Sequence, residues 1–437
     1  MSLKTLLLPH ISRWLFSRQR LLNRRAKAER KRLVRQAPHR VHYFHQVDDP
    51  YCALTVAALP RLLARYNIEL RVHLVDAPPE SAAPEREKLI AFSRDDAEHL
   101  ARHVGLTFQN PGKQPNAQAI ARATAYLVAN HEAEAFANTA DAITQKLWQG
   151  DQDILAGLSG PSASPAAVTA HKTSANALRD RLGHYLGATF YYGGEWYWGI
   201  DRLYHLEQRL QELNAQKPGV DGYLFPPTPD LASPITCHQP PPIDFFFSFR
   251  SPYSAIVAER VFRLAELTGA KVNLRYVLPM VMRGLPVPRA KREYISHDTA
   301  REAFERQIPF GCLNDPVGLP TERGLALIDY AVRIGKGQAY VLSFMRGVWS
   351  EGIDAGSDKG LRRIAERAGL NWTEAKLALV QDRWRLQAER NRDDLFRLGL
   401  WGVPSFRAGN VVTWGQDRLW RVSEALLKTA APLRSQA

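Results

Sequence analysis

The sequence predicts an α/β protein of two tandem domains, each a small mixed sheet carrying a helical insertion. Three observations lead there. At 437 residues the chain is long enough for two or more domains, each burying its own core. A strand, turn, helix and strand are written twice: VHYFHQV, DDPYC, a helix near 50–65 and ELRVHLVD; then IDFFFSF, RSPYS, a helix near 252–268 and KVNLRYVL. A closing motif also recurs, GATFYYGGEWYWGIDRLYHLEQRL from Gly187 and GVPSFRAGNVVTWGQDRLWRVSEAL from Gly402. Asp49 to Thr189 spans 140 positions and Ser251 to Pro404 spans 153, with one residue gapped before the tryptophan, so both motifs keep their order and spacing.

Residues 1–40 form a basic arm. They hold twelve Lys/Arg against Glu29 alone, a net +11 of the chain's +14, so the other 397 residues carry only +3. This argues against a nucleic-acid groove in the folded domains. Ile11, Trp14, Leu15, Phe16, Leu21 and Leu22 stand among the arginines. The arm reads either as an amphipathic helix on an anionic membrane surface or as a solvated tail. LLL is too short for a signal-peptide core, and no run of about 18 apolar residues occurs.

The first domain is expected over 41–216 and the second over 243–432. In each, strand, helix and strand make a right-handed parallel crossover, about 100 mostly helical residues follow, and two short strands and a helix close the unit. Residues 217–242 carry eight prolines without periodicity and read as a semi-rigid linker. Cys52, Cys237 and Cys312 form no CxxC pair, so no disulfide scaffold is expected and a reducing cytoplasm fits best, with peripheral contact at the inner membrane face through the arm. No cluster has zinc-ligand spacing.

Ser251 falls at the N-cap of the second domain's first helix, with Pro252 at the first helical position. A capping serine needs no further role. A Val403–Pro404 pair alone is an ordinary turn, Gln416 and Asp417 suit a helix start, and the aromatics of EWYWG suit a packed strand face.

The three stretches DFFFSFRSPYSAI, VLPMVMRGLPVPRAKREYI and GLWGVPSFRAGNVVTWGQDRLW together resemble 2-hydroxychromene-2-carboxylate isomerases and kappa-class glutathione transferases, over about 190 residues. The resemblance implies a DsbA-like thioredoxin fold, present here in tandem, and glutathione as cofactor. It places Ser251 against the glutathione thiol, where a hydroxyl and a helix N-terminus both favour the thiolate. It implies a cis Pro404 that exposes the Val403 backbone to the cysteinyl moiety, Gln416 and Asp417 at the γ-glutamyl end, and Arg283 near the glycyl carboxylate. The implied activity is isomerase or transferase, on an electrophilic, aromatic-derived small molecule. The first copy departs: Asp49 replaces the serine and Thr189 the proline, so it is expected to keep the fold, lose glutathione chemistry and stand in as the partner of a fused pseudo-dimer. The alternatives are a non-catalytic scaffold docked by the basic arm and, with least support, a DsbA-type thiol-disulfide oxidoreductase.

Overall fold

The computed structural model describes residues 3–151 and 153–430. Two thioredoxin-like α/β domains are present, each flanked by extra helices. By contact the chain forms two units: Leu22–Pro227 with Pro288–Tyr294, and Met1–Leu21 with Thr228–Val287 and Ile295–Ala437.

The chain opens with helices α1 (Leu3–Leu15) and α2 (Arg18–Val34). The first domain follows as β1 (His39–His45), α3 (Pro50–Arg65) and β2 (Ile68–Leu74). Its insertion holds α4 (Arg86–Val104), α5 (Ala117–Ala129), α6 (Ala133–Gln149) and α7 (Pro165–Leu182). It closes with β3 (Thr189–Tyr192), β4 (Glu195–Trp198) and α8 (Leu203–Glu212). The second domain repeats the plan with β5 (Ile243–Phe247), α9 (Pro252–Thr268) and β6 (Val272–Tyr276). Seven helices follow, beginning with α10 (Arg289–Glu305), and β7 (Ser405–Ala408), β8 (Val411–Trp414) and a last helix, Leu419–Leu427, complete it.

The two sheets have the same order, β2-β1-β3-β4 and β6-β5-β7-β8. In each, the first two strands are parallel and the rest antiparallel. β5 is buried at all five positions, which explains its run of phenylalanines: a central strand covered on both faces needs no polar alternation. Its one carboxylate, Asp244, is buried but accepts from Asn273 Nδ2 at 2.8 Å and pairs with Arg407 at 3.0 Å. A buried charge with such partners is tolerated, and removing one partner costs several kcal/mol, roughly 3–5.

Helical packing, rather than a loose tail, describes the arm. Arg25 of α2 is buried, with its guanidinium 2.9 Å from Glu195 and 3.3 Å from Glu212 in the first unit. Ser12 of α1 is buried in the other unit, where its Oγ accepts from Leu313 N–H at 2.8 Å, and Phe16 packs edge-on to His297. The opposite face of α1 leaves Leu7, Ile11 and Trp14 exposed, at 48%, 55% and 61%. The proline-rich segment carries no helix or strand and is pinned at both ends, by Arg65 donating to Asp221 O and by His238 N–H donating to Thr429 O. Among the described residues no helix is long and apolar enough to cross a membrane.

Histidine burial distinguishes the first domain. Burial pushes His45, His73 and His184 down to about 3, and His42 meets His73 through ring nitrogens 2.9 Å apart. The unfolded chain would take up these protons near the ordinary value of about 6.5, before the folded one does. The stability they contribute is therefore present above about pH 6.5 and lost as pH falls toward 3. Asp49 runs the other way, because burial raises it to about 7, as burial also raises Asp141 and Glu207, but six histidines, with His39, His42 and His171 among them, oppose these three carboxyls. We predict that amide protection in β1 and β2 falls between pH 7.5 and pH 5 while that in β5 and β6 holds. Equal behaviour of both sheets in hydrogen exchange, corrected for intrinsic rates, would refute this.

Candidate functional site

The second domain's site begins where β5 ends and α9 starts. Ser251 is the N-cap in extended backbone geometry (φ −90°, ψ 113°), and its Oγ accepts from Ser254 N–H at 3.1 Å. The same hydroxyl donates to Val403 O at 3.3 Å. Val403–Pro404 is a cis peptide bond immediately before β7. Trp349 Nε1–H fixes the turn from below by donating to Phe249 O at 2.9 Å.

A second link runs from Pro404 to the end of β8. Gly415 N–H donates to Pro404 O at 2.9 Å, which brings the short 3-10 turn Gln416–Arg418 beside the cis proline. Gly415 has φ +113°, and an added Cβ there would lie 2.5 Å from Asp417 Oδ1. Gln416 is buried and its amide is engaged: Nε2 donates to Glu302 at 3.0 Å, and Oε1 accepts from Arg260 at 2.9 Å. Asp417 is half-buried, its Oδ1 3.7 Å from Arg418. Ser251, Val403, Pro404, Gln416 and Asp417 thus converge. Arg283 comes from a separate 3-10 turn, Met280–Arg283, beyond β6.

The first domain holds the corresponding turn with different groups. Asp49 caps α3, accepting from Tyr51 N–H at 3.1 Å. Burial raises its carboxyl to about 7, against the hydrogen bonds from Tyr51 and Cys52 that lower it. It is therefore a full carboxylate only at pH values above that. Cys52 is buried, and its sulfur accepts from Gln46 N–H at 3.1 Å and Ala188 N–H at 3.0 Å. Burial, and Asp49 beside it, still push its thiol well above the ordinary value, so it is no ready nucleophile.

Strand register corrects one equivalence. Thr189 pairs with Trp198 as Ser405 pairs with Trp414, so Thr189 matches Ser405. The residue standing where Pro404 stands is Ala188, with φ +52°, and among the described residues only Val403–Pro404 is cis. The one-residue gap lies before the strand, not within the hairpin.

Sequence reasoning passed over several residues that build this site. Tyr253 O–H donates to Asp298 at 2.7 Å, and Tyr51 O–H to Asp96 at 2.9 Å, each 45 positions downstream. That shared offset was legible in the repeat. Arg260 and Glu302, which hold Gln416, gave no such signal.

Three comparisons bear on this geometry. Residues 242–427 match the DSBA-like thioredoxin domain. The chain is 22% identical over 193 residues to a 2-hydroxychromene-2-carboxylate isomerase of Pseudomonas sp. (strain C18), covering 42% of this chain and 89% of that protein. It is 25% identical over 194 residues to the enzyme of that name from Sphingobium xenophagum, covering 40% and 93%. A solved 2-hydroxychromene-2-carboxylate isomerase aligns at 23% identity and a TM-score of 0.37, covering 43% of this chain and 94% of that one. All three cysteines are free, and neither turn holds two thiols. Among the described residues no group of three or more His, Cys, Asp or Glu could hold a metal ion.

Gly402 makes the approach to Val403 sterically tight. A Cβ there would lie 2.2 Å from the Trp414 ring. Gly402→Ala is predicted to displace that indole and destabilise the second domain by about 1–3 kcal/mol, the usual range for overpacking. Urea unfolding followed by tryptophan fluorescence checks this; an unchanged midpoint would show that the ring moves freely.

Proposed function

We propose that the second domain is a glutathione-dependent isomerase or transferase acting on an electrophilic, aromatic-derived small molecule. The observation that carries this reading is the meeting of a helix N-cap hydroxyl, Ser251, with the backbone of a cis-proline turn, Val403–Pro404. The isomerase names of the relatives support it.

The residues present fit glutathione. Ser251 is half-buried, and at 3.3 Å its bond to Val403 O is long for a hydroxyl donor, so the proton is free to turn toward a sulfur. The 17-residue α9 places the positive end of its dipole at the same point. Val403 would pair its backbone with the cysteinyl unit as an added strand does. Asp417 would take the γ-glutamyl ammonium. Gln416, its side chain already engaged, would contribute through its main chain. Arg283 would face the glycyl carboxylate. Bound there, glutathione supplies a thiolate nucleophile, returned after isomerisation or carried off in the product of a transfer. Ser251 holds the proton bookkeeping at that sulfur: its O–H donates to the charged form and lowers the thiol pKa. The first domain lacks the serine and the cis proline and takes no part in this chemistry.

Calorimetric titration of glutathione should give one site per chain. Ser251→Ala should raise the pKa of the bound thiol, and Pro404→Ala should weaken binding. Two sites would revive the first domain, and no binding at millimolar glutathione would end this reading.

A specific observation favours a second role for α1. Leu7, Ile11 and Trp14 form one exposed apolar face, on a 40-residue segment of net +11. We propose that this face lies on an anionic bilayer, with Arg20, seated over the Trp14 ring, among the cations that meet the headgroups. The full chain should co-sediment with phosphatidylglycerol vesicles and not with phosphatidylcholine, and salt should weaken this. Ile11→Ser with Trp14→Ser should abolish it without changing glutathione binding. Retained vesicle binding, or concentration-dependent self-association through this face instead, would refute the assignment.

A further inference from the structure

The hydroxyl of Ser254 has no role in the site described so far. It is fully buried, three residues into α9 from Ser251, and its hydroxyl has no hydrogen-bond partner. An unpaired buried hydroxyl costs roughly 1–3 kcal/mol, so such a group calls for an explanation.

The repeat supplies one. Ser254 stands where Cys52 stands in the first domain, since Asp49-Pro50-Tyr51-Cys52 matches Ser251-Pro252-Tyr253-Ser254. Cys52 is satisfied there by the N–H groups of Gln46 and Ala188. In the second domain Ser254 N–H lies 3.1 Å from Ser251 Oγ, so the two residues share the first turn of α9 and a turn of the Ser254 hydroxyl brings it toward the same oxygen. In the second domain the residue matching Ala188 is Pro404, which has no N–H to give. The exchange that creates the cis-proline turn thus removes one of the two donors that satisfy this position in the other copy.

Ser251 Oγ has capacity for a partner. A hydroxyl carries one proton and two acceptor lone pairs. In this structure its proton goes to Val403 O, and one lone pair receives Ser254 N–H. The second lone pair receives no donor, and it stays available when the proton turns to a ligand sulfur.

We propose that Ser254 is a positioning residue that donates its hydroxyl proton to Ser251 Oγ once Ser251 donates to a ligand thiolate. The proposal rests on the glutathione reading above and deepens it. The chain of donors runs from Ser254 O–H to Ser251 O–H to sulfur. Each bond polarises the next, so the thiolate is stabilised more than by Ser251 alone. No covalent bond changes, and both protons stay on their oxygens. Ser254 itself does not touch the sulfur.

The test is the pH titration of the thiolate absorbance of bound glutathione on the full chain, with melting temperatures alongside. Ser254→Ala should raise the pKa of the bound thiol by about one unit, which is tenfold less thiolate below the pKa. Its melting temperature should hold or rise, because an unsatisfied hydroxyl has been removed. Ser254→Thr keeps the hydroxyl and should keep the wild-type pKa. An alanine variant with the wild-type pKa overturns the proposal, as does a threonine variant with the alanine pKa. A uniform loss of binding at every pH together with a lower melting temperature also overturns it, since that is what a packing role alone would give. A wild-type chain with no saturable thiolate signal would instead remove the glutathione reading on which the proposal stands.

Discussion

Both domains depend on a helix N-terminus held at the carboxyl end of a central strand. The parallel crossover of β1–α3–β2, and of β5–α9–β6, leaves that end no other place. The first four backbone N–H groups of a helix have no partner within it, so a capping side chain is favoured there, and the positive end of the dipole comes with it. Asp49 and Ser251 meet this structural need first. Any chemistry at the turn is built on a residue that already caps the helix. This is why a capping role and a functional role for Ser251 are compatible.

The two copies show how few substitutions separate one use of the turn from another. Where the first copy has Ala188 at positive φ, its N–H meets a buried sulfur. Where the second has a cis Pro404, that donor is absent and a serine replaces the cysteine. The Tyr–Asp pairs at Tyr51–Asp96 and Tyr253–Asp298 are kept in both, because they tie the first helix to the insertion whatever the turn does. The central strands need apolar side chains to fill the core, whereas the turn needs only a cap.

Much of the fold was legible because the chain says it twice. The strand and helix bounds around DDPYC and RSPYS, the alignment of the hairpins and the buried run IDFFF follow from periodicity and repetition. The match of Thr189 to Pro404 was off by one residue, because a gap can slide along a loop in sequence but not in a register of paired strands. The engagement of Gln416 by Arg260 and Glu302 was hidden, since those partners lie 156 and 114 positions away and carry no pattern. The arm's charge was plain, yet charge does not tell which face of α1 is packed; Ser12 and Phe16 turn inward, and Leu7, Ile11 and Trp14 outward.

The sequence by itself determined the duplication, the α/β class, the capping positions and the absence of a dithiol in either turn. These depend on local periodicity and residue identity, which are written along the chain. Only the tertiary structure decided which groups meet. The bond from Ser251 to Val403 O spans 152 positions, and the unpartnered hydroxyl of Ser254 is defined by what surrounds it. Hydrogen-bond satisfaction is a property of three-dimensional neighbours, and a linear pattern does not contain it.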